Sequence, residues 1–347
     1  MKKWRQLWLV GVVMVLLTAC QGKSAGNTTD EDIKEMPYRI AMITDTNGVD
    51  DRSFNQSAWE GMQDWQKKHG FQSGAISYYQ SHSANDFIPN INIAMVDHYD
   101  YIFGVGMLMV NAIDQVAQYN PHQKFAIIDG YVDQPNVVSV NFLDNEAAYL
   151  AGVAAASTTK TKKVGFIGGT QTEGIWRFEA GFVAGVKATD PSVEVDVQYA
   201  DTFGDAGIGQ QIANGMYSNG ADIIYSAAGQ TGNGAFTETR NRMEQGNQQL
   251  WMIGVDRDQS AEGKWSGGNF TLASTLKGVG ASIENLADRD MEKNDFPGGK
   301  TLSLGLKDGA VSLKDNQMSD KAKANVKAAE EKILSGEIKV PLKPDGK

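Results

Sequence analysis

Two kinds of patterning alternate along this chain. Short, nearly continuous apolar runs are separated by longer segments whose apolar residues recur every three or four positions. The runs over Tyr38–Thr44, Ala75–Gln80, Tyr101–Gly106, Lys124–Asp129 and Val137–Phe142 predict strands. Phe125-Ala126-Ile127-Ile128 is apolar at every position, as a parallel strand covered on both faces must be. Between the first two runs, Ala58, Met62 and Trp65 fall at i, i+4 and i+7, which predicts one buried face of a helix over Phe54–Lys68.

The same order is then written a second time without repeating the residues. Strands are expected over Lys163–Gly169, Val193–Ala200, Ala221–Gly229, Leu250–Asp256 and Phe270–Leu276. A last helix is expected over Lys321–Leu334, with Ala322, Val326, Ala329 and Ile333 on one face and Gly336 as its stop. Strands alternating with helices argue for βαβ units, hence an α/β fold of two doubly wound parallel-sheet lobes joined by a multi-segment hinge. The expected first lobe takes residues 37–143 plus about 271–300, and the second takes 144–270 plus about 301–347. Crossovers are expected near Leu143–Asn145, Asn269–Thr271 and Gly299–Leu302.

The front of the chain follows a different logic. Lys2, Lys3 and Arg5 precede an apolar run from Leu7 to Leu17, too short for the roughly 20 residues of a spanning helix and fitted instead to a secretory signal over 1–19. Leu17-Thr18-Ala19-Cys20 resembles a bacterial lipobox, in which the signal is cut before the cysteine and the thiol is lipidated. Residues 20–36 then read as a lipidated Cys20 and a flexible tether, polar and small-residue-rich with an acidic Asp30-Glu31-Asp32 run. The expected location is the extracytoplasmic face of the cell membrane, touched through the lipid alone.

Composition narrows the chemistry. The chain of 347 residues carries 32 Lys and Arg against 42 Asp and Glu, a formal charge of −10, and loss of residues 1–19 removes three positive charges to leave −13. No basic run offers a face to nucleic acid. Four His and the single Cys argue against a disulfide framework or a Cys/His zinc centre, and no cofactor is expected. Walker, nucleophile-elbow and H-E-x-x-H motifs are missing, and no nucleophile, base and oxyanion donors assemble, so a non-enzymatic role is expected.

Ligands of open α/β sheets bind beyond the carboxyl ends of the strands. That rule selects loops beginning at Asp45, Gly104 and Asp129 in the first lobe and at Gly168, Ala228 and Asp256 in the second. Within the stretch from Thr44 to Gly61, Ser53 or Asn55 is a candidate N-cap. Phe54 is either a hydrophobic staple or a stacking platform with Asp45 as a nearby acceptor. Asp50-Asp51 reads as a solvated turn. Arg177, following Gly174, is placed in the cleft.

That stretch, together with Gly254-Val255-Asp256-Arg257-Asp258-Gln259 and the lipobox, resembles the basic membrane protein family of substrate-binding lipoproteins. Characterised members of that family bind nucleosides for ABC importers. The resemblance spans essentially the whole mature chain, with further matches at Val105-Gly106-Met107, Arg177 to Phe182 and Ser274 to Lys277. It implies a type I periplasmic-binding-protein architecture. It also implies that Asp45 reads the base edge, Phe54 stacks on the base, Asp256 and Lys277 engage ribose hydroxyls, and Asp129 lies near the site, with Asn55 and Met107 beside them. The family's Gly-rich loop is present as Ala228-Gly229-Gln230-Thr231-Gly232, where Gln230 adds an amide that bears on base preference. Trp176 and Phe236 are the candidates for the second face of the base.

The expected function is therefore a monomeric, lipid-anchored receptor that captures a nucleoside in the interlobe cleft and delivers it to an ABC transporter permease. A sugar or autoinducer receptor of the same fold is the alternative within binding proteins. An extracellular nucleoside hydrolase using Asp45 or Asp256 as base is the alternative among enzymes.

Overall fold

The computed structural model describes residues 38–246 and 249–347; the signal, the lipobox cysteine Cys20 and the tether lie outside them. Residues from Tyr38 to Lys347 form one compact unit. No helix among the described residues is long and apolar enough to cross a membrane.

The chain first lays down β1 (Ile40–Ile43), α1 (Phe54–His69), β2 (Ile76–Tyr79), α2 (Phe87–Val96), β3 (Tyr101–Val105), α3 (Val110–Tyr119), β4 (Lys124–Ile128) and β5 (Val137–Phe142). After α4 (Asp144–Thr158) the pattern repeats as β6 (Lys163–Gly168), α5 (Glu173–Thr189), β7 (Glu194–Tyr199), α6 (Ala206–Ser218), β8 (Ile223–Ala227), α7 (Gln230–Glu244) and β9 (Trp251–Gly254). A small hairpin of β10 (Lys264–Trp265) and β11 (Gly268–Asn269) leads into β12 (Thr271–Lys277), α8 (Val279–Lys293), β13 (Thr301–Leu304), β14 (Val311–Asp315) and α9 (Asp320–Leu334). All ten strands expected from the apolar runs form, each within two residues of its expected ends at most.

The two six-stranded sheets run β2-β1-β3-β4-β5-β13 and β7-β6-β8-β9-β12-β14. Both show the doubly wound order, in which strands one and three flank the switch point. Pairing is parallel throughout, except that β14 joins β12 antiparallel. The strands that read as apolar throughout are buried throughout, Phe125 to Ile128 included, because helices cover both sheet faces.

Strand pairing moves two of the expected lobe boundaries. Thr271–Lys277 pairs with Met252 to Gly254 and therefore lies in the second lobe, although residues from 271 were assigned to the first. Thr301–Leu304 pairs with Ser139 to Phe142 and so completes the first sheet, although residues from 301 were assigned to the second. The chain thus crosses between lobes at Phe142–Asp144, at Lys277–Val279 and between Leu304 and Val311. The apolar pattern of β12 marks it as an interior strand without naming its sheet. The short β13, half-exposed along its length, gave no apolar run to read.

Helix α1, which begins at the site, is set by a close approach to α8. A Cβ on Gly280 would lie 2.8 Å from the Gly61 Cα and 2.8 Å from the Ser57 carbonyl oxygen. Alanine at 280 would be favoured by helix propensity by up to about 1 kcal/mol. Overpacking costs typically ~1–3 kcal/mol, so Gly280→Ala is expected to lower the denaturant midpoint. An unchanged or raised midpoint would show that the two helices separate freely.

Candidate functional site

The carboxyl ends of the two sheets face each other across a partly enclosed cleft. Lobe 1 contributes Asp45, Asn47, Asp51, Phe54, Met107 and Asp129; lobe 2 contributes Ile175, Phe178, Phe203, Gly229, Asp256 and Lys277. Asp144 joins them from the first turn of α4, at a crossover.

The lobe 1 wall is built by a hydrogen-bond relay. Both oxygens of Asp51 are occupied at the start of α1. Oδ1 accepts from the backbone N–H of Ser53 (2.8 Å) and Gln56 (3.1 Å), and Oδ2 accepts from the N–H (3.0 Å) and Nδ2 (3.0 Å) of Asn55. Asp51 therefore caps the helix, satisfying donors that have no intrahelical partner. Ser53, the N-cap residue, makes no side-chain cap bond. Its hydroxyl is turned across the cleft to Asp256 Oδ2 at 2.5 Å. Asn55 relays the arrangement onward, donating from Nδ2 to Asp45 Oδ1 (2.8 Å) and accepting from the Asp45 backbone N–H (3.2 Å). The expected solvated turn at Asp50-Asp51 is thus corrected for Asp51, which is buried and organises the site.

Lys277, the last residue of β12, sits at the centre. Its ammonium lies 2.7 Å from Asp129 Oδ2 and 3.1 Å from Asp144 Oδ2. It also faces the rings of Phe178 (5.0 Å), Phe54 (5.3 Å) and Phe142 (5.4 Å). Asp129 and Asp256 each follow the fourth strand of their lobe and both hold left-handed backbone, φ 59° and 66°. Such non-glycine conformations are costly and concentrate at functional sites.

Carboxylates outnumber the one buried ammonium, and the protonation balance follows. Burial pushes Asp45 up to about 7, against the pull of its hydrogen bonds from Asn47 and Asn55. Burial likewise raises Asp256 to about 6, although Lys277 and Ser53 draw it down. Asp144 is raised by the same desolvation, with Lys277 opposing. For Lys277 burial acts downward, but Asp129, Asp144 and Asp256 outweigh it and hold the ammonium charged.

The structure brings together Asp45, Phe54, Met107, Asp129, Gly229, Asp256 and Lys277 of the residues read from the sequence. Asn55 stands one layer behind, holding Asp45. Gly229, at φ 55°, lets the backbone turn into α7 against the Phe203 carbonyl. Four expected residues lie elsewhere. Trp176 does not line the cleft; its ring is covered by the ammoniums of Lys343 (5.8 Å) and Lys347 (5.7 Å). On the same helix Ile175 and Phe178, three residues apart, face the cleft instead. Arg177 donates to the Phe142 carbonyl at the hinge (3.1 Å). Gln230 is exposed at the start of α7. Phe236 is a core residue packed near Phe270, ring centroids 6.1 Å apart. Two cleft aromatics are not among the residues expected from the sequence: Phe178, on the helix that carries Trp176, and Phe203, which follows β7 and satisfies the strand-end rule.

Carboxyls with folded values raised above the ordinary 3.8 hold protons that the unfolded chain releases. Their stabilisation is complete below that value and is lost as pH rises through about 6 to 7. We therefore expect Asp45→Asn to melt near wild type at pH 4 and increasingly above it toward pH 8. A difference between the two proteins that does not change with pH would contradict this account of Asp45.

Comparison with known proteins places this geometry. The family model described as ABC transporter substrate-binding protein PnrA-like matches residues 39–343. Over 339 residues the chain is 42% identical to a Lactococcus lactis protein named ABC transporter nucleoside-binding protein BmpA, covering 95% of this chain and 96% of that one. It is 46% identical over 341 residues to a Listeria monocytogenes protein named CD4+ T-cell-stimulating antigen, covering 95% of each. Among solved structures, a solute-binding protein of an ABC transporter system from Aeropyrum pernix K1 superposes with a TM-score of 0.79 at 26% identity, covering 89% of this chain and 95% of that one.

Proposed function

Because the chain belongs to the Bmp family of ABC transporter substrate-binding proteins, we propose that its interlobe cleft captures a nucleoside and that the loaded, closed form delivers it to the permease of an importer. One observation carries the proposal. Apolar rings (Phe54, Phe178, Phe203) line the same enclosed space as hydrogen-bonding charges (Asp45, Asp129, Asp256, Lys277). A nucleoside has those two halves, a flat base and a hydroxyl-rich sugar. The printed name of the Lactococcus lactis relative supports the same ligand class.

In this assignment the base stacks on Phe54, with Phe203 or Phe178 on its other face, while Asp45 meets its polar edge. Asp256 and Lys277 take the sugar hydroxyls through charge-assisted bonds. The hydroxyls displace two contacts, Ser53 to Asp256 and Lys277 to Asp129, so sugar recognition and interlobe contact share the same groups. The signal is cut before Cys20, whose lipid tethers a monomeric receptor to the outer face of the cytoplasmic membrane through the tether that follows.

The test is calorimetric titration of residues 26–347, unfolded and refolded to strip any carried ligand, against adenosine, guanosine, inosine, uridine, cytidine and ribose. One-to-one binding of a nucleoside with ribose silent is expected. Phe54→Ala is expected to weaken it about 5- to 150-fold, the worth of roughly 1–3 kcal/mol for a stacked base. Heat from ribose alone, or silence from a correctly refolded sample, would contradict the assignment.

A further inference from the structure

The lobes are closed on one another, and contacts from lobe 2 converge on one short segment of lobe 1. Asn233 Nδ2 donates to the backbone carbonyl of Asp51 at 3.0 Å. Gln259 Nε2 donates to the backbone carbonyl of Arg52 at 2.9 Å. Ser53, next in the chain, bonds Asp256 as described above. Neither Asn233 nor Gln259 lines the ligand space. We propose that Asn233 and Gln259 are a closure latch, two amides that hold lobe 2 on the Asp51–Ser53 segment and raise affinity for every ligand alike without touching it.

Three features of the segment support this role. Gln259 is fixed by its own lobe before it reaches across: its Oε1 accepts from the Val255 N–H (2.9 Å) and its backbone N–H donates to Ser274 Oγ (3.2 Å). The Val255 N–H also determines which end of the amide faces Arg52, since only oxygen can accept there. Second, Arg52 holds left-handed backbone at φ 60° between Asp51, whose carboxylate caps α1, and Ser53, whose N–H donates to that carboxylate. That cost is retained in a conformation whose carbonyl accepts from the opposite lobe. Third, the Asn233 Oδ1 is buried with no partner among the described residues, so its amide is oriented by the single bond to Asp51.

Two ion pairs flank the amides, Arg52–Glu262 (2.8 Å) and Arg257–Glu60 (3.0 Å). The Arg52 side chain is 58% exposed and the Glu60 side chain 45% exposed, so water and salt screen both pairs. The amide bonds run to neutral carbonyls and are insensitive to salt. In the free protein the latch favours the closed form; in the complex it slows reopening, because ligand leaves only after the lobes part.

The latch rests on the assignment of the cleft as the ligand site, and the test separates the two. In residues 26–347, Gln259→Glu keeps the acceptor toward Val255 and replaces the donor, while Asn233→Ala removes the other amide. Each variant is expected to raise the dissociation constant of every bound nucleoside by one common factor, about 2- to 13-fold for a lost net hydrogen bond. The dissociation rate is expected to rise in both variants, and the salt dependence to stay unaltered in Asn233→Ala, which changes no charge. Ligand-free small-angle scattering is expected to show a larger radius of gyration than wild type. Unchanged affinity in both variants, or factors that differ between nucleosides, would overturn the latch. If no nucleoside binds the wild type, the function proposal fails, and the ligand-free radius alone decides the latch: enlarged supports it, unchanged overturns it.

Discussion

A single buried ammonium holds this site together. Lys277 ends the strand that leads into a crossover, Asp144 opens the helix after another crossover, and Asp129 follows a strand of the opposite lobe. The Lys277–Asp144 contact therefore stays within the hinge region, while the Lys277–Asp129 contact exists only while the lobes are together. Removing one partner of such a buried pair typically costs ~3–5 kcal/mol, because the remaining charge is stranded. Under the proposed function the cleft has two ways to satisfy its charges: by closing on itself, or by closing on a ligand whose hydroxyls take over part of the cage.

The rest of the fold serves to bring those groups to one place. The central strands of each sheet are buried on both faces, so the charged groups of the site gather beyond the strand ends, and in both lobes an aspartate with left-handed backbone follows the fourth strand. Glycine pairs set the helices behind them. Where Gly61 meets Gly280, two helix backbones come close enough to fix the start of α1, and with it the relay from Asp51 through Asn55 to Asp45. Raised carboxyl values are the consequence of burial first, with neighbouring acids adding to it.

Much of this was legible in the sequence, for identifiable reasons. Strand interiors announce themselves as continuous apolar runs, and the residues just beyond them, Asp45, Asp129 and Asp256, follow from where the runs stop. The helix entry alone leaves Phe54 open between staple and stacking platform, and Lys277 comes from resemblance rather than from pattern. What failed depended on rotation about a helix or on long-range pairing. Trp176 and Phe178 are two residues apart on α5, yet only Phe178 faces the cleft, and no local periodicity says which stripe meets the opposite lobe. Phe236 looked like a loop aromatic until α7 turned it into the core. The exchange of β12 and β13 between lobes is decided by pairing partners far away in sequence, which composition does not encode. Asp51 was read as a solvated turn residue because its four donors are backbone and amide groups that become neighbours only once α1 forms.

A crystal structure of the chain with a bound nucleoside tests this arrangement most directly. The base is expected against Phe54, with the sugar hydroxyls bonded to Asp256 and Lys277 and the Ser53–Asp256 contact broken. Ligand density elsewhere, or a Lys277 that keeps its present contacts while the sugar lies against the phenylalanines, would contradict it.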